Sequence, residues 1–227
     1  MNNYIGKKFS VLGDSISTYQ NYTEPSEYVF YTYEKIRQAN IFSVNETWWG
    51  AVIKELGGEF LKNNSISGST VCYNDKDKCE SYACSDKRTF SLHTSTATPD
   101  VIMVYIGTND YGMGKKISSE DKSDLTIFEN AYKTMLEKLK ANYPNAEIWC
   151  NSLAVPTESL DSGFKYDFCR GGIHITEYNK TIKALTEELD CKFIDIYDES
   201  NPYDTIDGAH ANYIGMQTIK NKVLQNL

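Results

Sequence analysis

A histidine with a carboxylate three residues before it is the first candidate for chemistry in this sequence. The chain contains three histidines, and only His210 has an acidic residue at that spacing, Asp207 in Asp-Gly-Ala-His. His93 and His174 have none. An imidazole held by a carboxylate can take the proton of a serine hydroxyl, which is otherwise a poor nucleophile at neutral pH. Asp207 and His210 therefore predict a base and its orienting group.

A matching nucleophile lies near the start of the chain. Ser15 stands in Gly-Asp-Ser, directly after the strand-like run Lys8–Gly13. Glycine permits the tight turn that would expose a serine hydroxyl at the end of a strand. On its own the tripeptide also fits a serine that caps a helix beside an acidic neighbour, so support must come from other segments.

Two further segments could donate hydrogen bonds to an oxyanion. Gly68, in Ser-Ile-Ser-Gly-Ser, could present a backbone N–H with no side chain in the way. Asn109, in Gly-Thr-Asn-Asp, carries a side-chain amide that could point at the same charge. Each segment alone also fits an ordinary polar turn, and His210 alone also fits an exposed loop histidine.

Alternating apolar runs and amphipathic stretches predict the elements that would bring these residues together. The predicted strands are Lys8–Gly13, Glu59–Asn63, Val101–Ile106, Glu147–Leu153 and Lys192–Tyr197, and the predicted helices are Trp48–Leu56, Phe128–Ala141, Thr176–Leu189 and Asn212–Leu224. This order predicts an α/β fold with a parallel sheet and helices on both faces. All the candidates follow strands, at the carboxyl edge where sites of such sheets lie. With no linker or repeat, residues 1–227 are expected to form a single domain.

Composition disfavours several classes of protein. The net charge of −8 opposes nucleic-acid binding, because phosphate contacts need a basic face. No stretch is long and apolar enough to cross a bilayer. The first residues lack the apolar core of a signal peptide, so a cytoplasmic location is expected. The six cysteines form no Cys-x-x-Cys pair and have no histidine at ligand spacing, which favours free thiols over a zinc site.

The four candidate segments together, in this order, resemble those of the SGNH hydrolases, the GDSL-type esterase and lipase superfamily. Ser15 matches the first block, with Ile16 where leucine is usual. Gly68 matches the second block, Asn109 the third, and His210 with Asp207 the last. Two smaller features are Asn63, which opens the second block, and Ala211, where proline often follows the histidine.

The resemblance implies a three-layer α/β/α sandwich with a central five-stranded parallel sheet in flavodoxin-like order. It also implies ester hydrolysis without a metal or another cofactor. Ser15 would attack the acyl carbon, His210 would carry the proton, and Asp207 would orient the imidazole. The Ser15 N–H, the Gly68 N–H and the Asn109 side chain would hold the oxyanion.

Aromatic residues give the sequence's best indication of the substrate. Tyr31, Trp48, Trp49 and Tyr111 could form a floor for a sugar ring, although tryptophans that begin an amphipathic helix also fit the core. No long apolar lid segment is present, and an acidic surface repels anionic lipid headgroups. We therefore predict an esterase that removes short acyl groups, chiefly acetyl, from a carbohydrate or a similar polar alcohol.

Two alternatives stay open. One is a lysophospholipase or thioesterase that uses the same chemistry, and the other is a sugar-binding module that has kept the fold without catalysis. An intact set of nucleophile and base disfavours the second alternative, because binding alone needs no activated serine. The sequence leaves the oligomeric state open, together with the roles of the irregular segments 16–46, 70–99 and 157–172.

Overall fold

The computed structural model describes residues 3–24, 26–76, 80–159 and 163–227. Its main feature is a five-stranded sheet in which every neighbouring pair of strands is parallel. The strands are β1 (Lys8–Gly13), β2 (Glu59–Ser65), β3 (Val101–Tyr105), β4 (Glu147–Asn151) and β7 (Lys192–Ile194), in the spatial order β2-β1-β3-β4-β7. A separate two-stranded hairpin is formed by β5 (Cys169–Arg170) and β6 (Ile173–His174).

Helices cover both faces of the sheet. They are α1 (Tyr33–Ala39), α2 (Trp48–Glu55), α3 (Asp86–Phe90), α4 (Thr108–Gly112), α5 (Phe128–Asn142), α6 (Ile175–Glu188) and α7 (Tyr213–Gln225). Three short 3-10 turns lie at Ser15–Ser17, Ser26–Tyr28 and Val44–Glu46.

The central strand β3 shows why the fold has three layers. All five of its residues are buried, and alternate side chains point to opposite faces of a strand. Met103 and Tyr105 pack into one hydrophobic cluster with residues of α1, α2 and α7. Ile102 and Val104 pack into a second cluster with residues of α5 and α6. The sheet therefore separates two cores, each closed by its own layer of helices.

The predicted fold class and strand order are confirmed, and most predicted boundaries differ from the structure by only a few residues. The clearest difference lies in the segment 16–46, which the sequence analysis treated as irregular and which contains α1. Among the described helices, none is long and apolar enough to span a membrane. The cysteines within the described ranges are free thiols, and Cys79 lies outside those ranges.

Candidate active site

The carboxyl ends of three neighbouring strands bring the candidate residues to one edge of the sheet. Gly13, the last residue of β1, is paired with Ser65 of β2 on one side and with Tyr105 of β3 on the other. Ser15, Gly68 and Asn109 follow these three strand ends within a few residues.

Ser15 begins a 3-10 turn that is fixed from both sides. The Asp14 side chain accepts a hydrogen bond from the Ile16 N–H at 3.1 Å and so caps the turn. The Ser15 carbonyl accepts hydrogen bonds from the N–H and the hydroxyl of Thr18, at 3.3 and 2.9 Å. Ser15 is only 8% exposed, so its hydroxyl has little freedom beyond the orientation that the turn gives it.

His210 lies between Ser15 and Asp207. The distance from His210 Nε2 to Ser15 Oγ is 3.0 Å, and that from His210 Nδ1 to Asp207 Oδ2 is 2.8 Å. The other carboxylate oxygen, Oδ1, accepts hydrogen bonds from the N–H groups of Ala209 and His210, at 3.0 and 2.8 Å. The turn between acid and base depends on Gly208, whose φ of +89° favours glycine and whose Cα faces the Phe164 ring.

Asp207 is held in its charged form. Partial burial opposes ionisation, but hydrogen bonds from the His210 ring and from the His210 and Ala209 N–H groups outweigh it and lower the pKa of Asp207 to about 2. The carboxylate therefore stays ionised across the neutral range and can accept a hydrogen bond from protonated Nδ1. That bond leaves Nε2 facing Ser15 as an acceptor.

The two predicted amide donors are available. Within the described residues, neither the Ser15 N–H nor the Gly68 N–H donates a hydrogen bond to another group. Gly68 is exposed, its φ is +76°, and no heavy atom lies within 4 Å of the position that a Cβ would take. Gly68 therefore lies at an open surface, and no other described group uses its N–H.

Asn109 and Asp110 connect β3 to the loop that carries Gly68. Asn109 Nδ2 donates to the Ser69 carbonyl at 2.9 Å, which leaves the second amide hydrogen for another acceptor. The buried Asp110 carboxylate accepts from the Val71 and Cys72 N–H groups, at 2.8 and 3.0 Å. These contacts hold the loop of Gly68 against the turn of Asn109, and both residues are predicted oxyanion donors.

The predicted aromatic floor is not formed, because Trp48 and Trp49 are both fully buried. Trp48 Nε1 donates to Ser17 Oγ at 3.1 Å, and Trp49 Nε1 donates to the Ser17 carbonyl at 3.0 Å. The same carbonyl accepts from Asn63 Nδ2 at 2.8 Å. The interpretation of both tryptophans as substrate contacts was therefore wrong; they hold the turn that presents Ser15 from behind.

The interpretation of Tyr31 and Tyr111 as substrate contacts is also wrong. Tyr31 has no exposed surface, and its hydroxyl donates to the Ala211 carbonyl at 2.7 Å. Tyr111 is 3% exposed, and its hydroxyl donates to the Asp167 carbonyl. Neither ring is free to stack on a sugar, because both are packed and both hydroxyls are used.

Phe30 is the aromatic residue that reaches the site, and the sequence analysis did not single it out. Its ring is stacked on the His210 imidazole, with 3.4 Å between ring centroids and 10° between the ring planes. The next residue, Tyr31, is bonded to the residue after His210. Phe30 and Tyr31 thus contact His210 and Ala211, respectively. This pair of contacts fixes the plane of the imidazole.

Two buried charged residues lie behind the nucleophile. Burial raises the pKa of Asp14 to about 7, against the opposing hydrogen bond from the Ile16 N–H. Arg88 is 1% exposed. Its guanidinium donates to the carbonyls of Gly13 and Asn64, at 2.9 and 2.8 Å, and so ties the ends of β1 and β2 together.

Comparison with known proteins identifies the family of the chain. The sequence profile described as GDSL-like Lipase/Acylhydrolase matches residues 7–162. A protein from Bacteroides ovatus described as a GDSL-like lipase superposes with a TM-score of 0.74 at 28% identity, covering 97% of each chain. The carbohydrate acetylesterase Est24 from Sinorhizobium meliloti superposes with a TM-score of 0.62 at 15% identity, covering 96% of this chain and 97% of that one.

A shorter match concerns the cellulase/esterase CelE of Acetivibrio thermocellus. It is 36% identical over 56 residues, which make up 25% of this chain but only 6% of the length of CelE. Because the family profile covers more than half of the sequence, the chain belongs to the GDSL-like lipase/acylhydrolase family and is a carboxylic ester hydrolase.

Proposed function

We propose that this chain is a serine esterase that removes acetyl or other short acyl groups from a carbohydrate or a similar polar alcohol. The single observation that carries the proposal is the position of His210, with one ring nitrogen 3.0 Å from Ser15 Oγ and the other 2.8 Å from Asp207 Oδ2. No other described histidine has a carboxylate and a serine hydroxyl on its two nitrogens.

Acylation begins when Ser15 Oγ attacks the carbonyl carbon of the ester. The Ser15 proton moves to His210 Nε2, and the imidazolium that forms is stabilised by Asp207. The carbonyl oxygen gains negative charge in the tetrahedral intermediate. The Ser15 N–H, the Gly68 N–H and the second hydrogen of Asn109 Nδ2 donate to that oxygen.

Collapse of the intermediate breaks the bond to the leaving alcohol. His210 Nε2 returns its proton to the alcohol oxygen, so the alcohol leaves neutral and Ser15 keeps the acyl group. A water molecule then takes the place of the alcohol and gives a proton to His210. Its attack on the acyl carbon releases the acid and restores the Ser15 hydroxyl.

Composition and related proteins support the preference for a short acyl group and a sugar alcohol. The sequence has no long apolar lid segment, and its acidic net charge disfavours an anionic lipid surface. Est24, which shares the fold, is described as a carbohydrate acetylesterase, and CelE, which shares a short segment, is described as a cellulase/esterase.

The test is a series of p-nitrophenyl esters of increasing chain length, followed by measurement of acetate released from acetylated glycans. Ser15→Ala serves as the control in both assays. The proposal predicts the highest kcat/KM for acetate and release of acetate from a glycan. A maximum at long acyl chains would favour a lysophospholipase or thioesterase. Sugar binding without hydrolysis would favour a non-catalytic module. The cytoplasmic location stays a prediction.

A further inference from the structure

A cavity of about 400 Å³ lies beside the segment that carries Phe30, and the proposed mechanism does not use it. Its lining includes four aromatic residues, of which Tyr19 is buried and Tyr22, Tyr33 and Phe42 are exposed, and two exposed amides, Asn21 and Asn45. We call it the aromatic cavity.

Three of the four rings of the aromatic cavity are open to solvent. Phe42 is 67% exposed, Tyr33 is 59% exposed and Tyr22 is 39% exposed. Single exposed rings are common on soluble proteins, but several around one concavity mark a surface that binds something.

The polar part of the lining suits a neutral ligand better than an anion. None of the described residues that line the cavity is charged, although 24% of the residues in the chain are. Gln20, Asn21 and Asn45 supply amides, and each amide can donate and accept hydrogen bonds. A carboxylate ligand would lose hydration here, would gain no cation from the lining, and would lie near the Glu46 carboxylate at the wall. A neutral ligand with several hydroxyl groups meets neither cost.

A pyranose ring has both of the required properties. Its C–H groups carry partial positive charge and pack on the negative face of an aromatic ring, while its hydroxyls lie at the edge, where amides can reach them. We propose that the aromatic cavity is a binding site for a neutral oligosaccharide chain. This inference rests on the proposed function and deepens it, because it names the class of alcohol in the ester substrate.

Hydrogen bonds hold the wall of the cavity in place. Asn21 adopts a left-handed backbone with a φ of 68°, and its Nδ2 donates to Tyr33 Oη at 2.9 Å. On the other side, Glu46 Oε2 accepts from the backbone N–H groups of Phe42 and Ser43, at 2.6 and 2.9 Å. Because the Asn21 and Tyr33 side chains and the backbone at Phe42 are held in this way, less conformational entropy is lost when a sugar binds.

The aromatic cavity is also connected to the proposed base. The Gln20 N–H donates to the Tyr31 carbonyl at 3.0 Å, and Tyr31 follows Phe30, whose ring covers His210. A glycan held in the cavity would therefore lie on the same segment that orients the imidazole.

The test is isothermal titration of the purified chain with unacetylated xylohexaose, cellohexaose and mannohexaose. These sugars contain no ester, so the heat reports binding alone. We expect saturable binding of at least one of them. Tyr33→Ala and Phe42→Ala should each weaken that binding by about 2- to 13-fold, the range for one aromatic packing contact. Tyr33→Phe keeps the ring but removes the hydroxyl that Asn21 contacts, so it should bind more tightly than Tyr33→Ala.

The matched control is Phe90→Ala, which removes a 58% exposed ring outside the cavity and should leave the affinity unchanged. Turnover of p-nitrophenyl acetate should also be unchanged in Tyr33→Ala and Phe42→Ala. The inference is overturned if none of the three sugars gives saturable heat at millimolar concentration. It is also overturned if the two alanine variants bind like Phe90→Ala, or if a proline-rich peptide binds through these rings and the sugars do not. Loss of hydrolysis in Ser15→Ala, with sugar binding intact, separates this inference from the proposed function.

Discussion

Replacing Phe30 by leucine should show whether His210 needs the flat ring of Phe30 for its orientation, or only the space that this side chain fills. Leucine fills much of the same space but has no flat face, so the stack with 3.4 Å between ring centroids is lost. Asp207 still bonds Nδ1, but the ring can then rotate about that contact. The matched variant Phe30→Tyr keeps a flat ring at the same position.

The expected loss of kcat follows from the free energy of the stacking contact between Phe30 and His210. A pair of stacked rings contributes about 0.5–1.5 kcal/mol beyond the area that it buries. If that energy only holds the imidazole in its productive orientation, its loss lowers kcat by about 2- to 13-fold. KM should change little, because Phe30 is assigned to the base rather than to the sugar or acyl group. Phe30→Tyr should stay close to the wild-type rate.

Two measurements test this reasoning on the same proteins. Steady-state kinetics with p-nitrophenyl acetate give kcat and KM. Proton NMR gives the ring resonances of His210, which the ring current of a stacked Phe30 shifts upfield. We expect Phe30→Leu to have a lower kcat and to lack the upfield shift of the His210 resonances. Phe30→Tyr should keep both the rate and the shift. A Leu variant with full kcat, or a Tyr variant as impaired as the Leu variant, would refute the role assigned to the stack.

Three further predictions concern neighbouring groups. Asp207→Asn presents an amide where the imidazole must donate, so kcat should fall by about 10⁴ in steady-state kinetics; an unchanged rate would contradict the assignment. Asn109→Ala removes one oxyanion donor and should lower kcat by about 10²–10³ with little change in KM; a loss confined to KM would argue against that role. Burial raises the pKa of Asp14 from 3.8 to about 7, so between these values the folded chain holds a proton that the unfolded chain releases, and stability falls as pH rises. Asp14→Asn should remove this decline, which amounts to about 3 kcal/mol between about pH 5 and about pH 8, as measured by urea unfolding at those two pH values; the same decline in both proteins would contradict the shift.

The parallel sheet could be predicted because its signals are local. The run Val101–Tyr105 is apolar at every position, and a strand buried on both faces requires such a run. Ser15, Asn109 and His210 could be placed at one edge for a related reason. Each follows a strand, and strands of a parallel sheet end on the same side.

The aromatic residues could not be placed in this way, because their surroundings are set by residues far along the chain. The indoles of Trp48 and Trp49 are buried because Ser17, some 30 residues earlier, offers them two acceptors. Phe30 lies against His210 across a sequence separation of 180 residues, as does Tyr31 against Ala211. Propensity and periodicity carry no information about such pairs.

Arg88 shows the same limit for a charged side chain. Arginine is almost never fully buried unless its donors are satisfied, and nothing in the neighbouring sequence indicates that three backbone carbonyls satisfy this one. The structure supplies them from Gly13, Asn64 and Ser81. Arg88 is therefore part of the support behind the nucleophile.

Covalent labelling with diethyl p-nitrophenyl phosphate tests most directly whether Ser15 is a nucleophile activated by His210. The reagent transfers its phosphoryl group to an activated serine and releases p-nitrophenol, and peptide mass spectrometry locates the adduct. The account predicts one adduct, on Ser15, absent from Ser15→Ala and formed at least about 10³-fold more slowly in His210→Gln. An adduct on another residue, or labelling of Ser15 at the same rate without the imidazole, would contradict it.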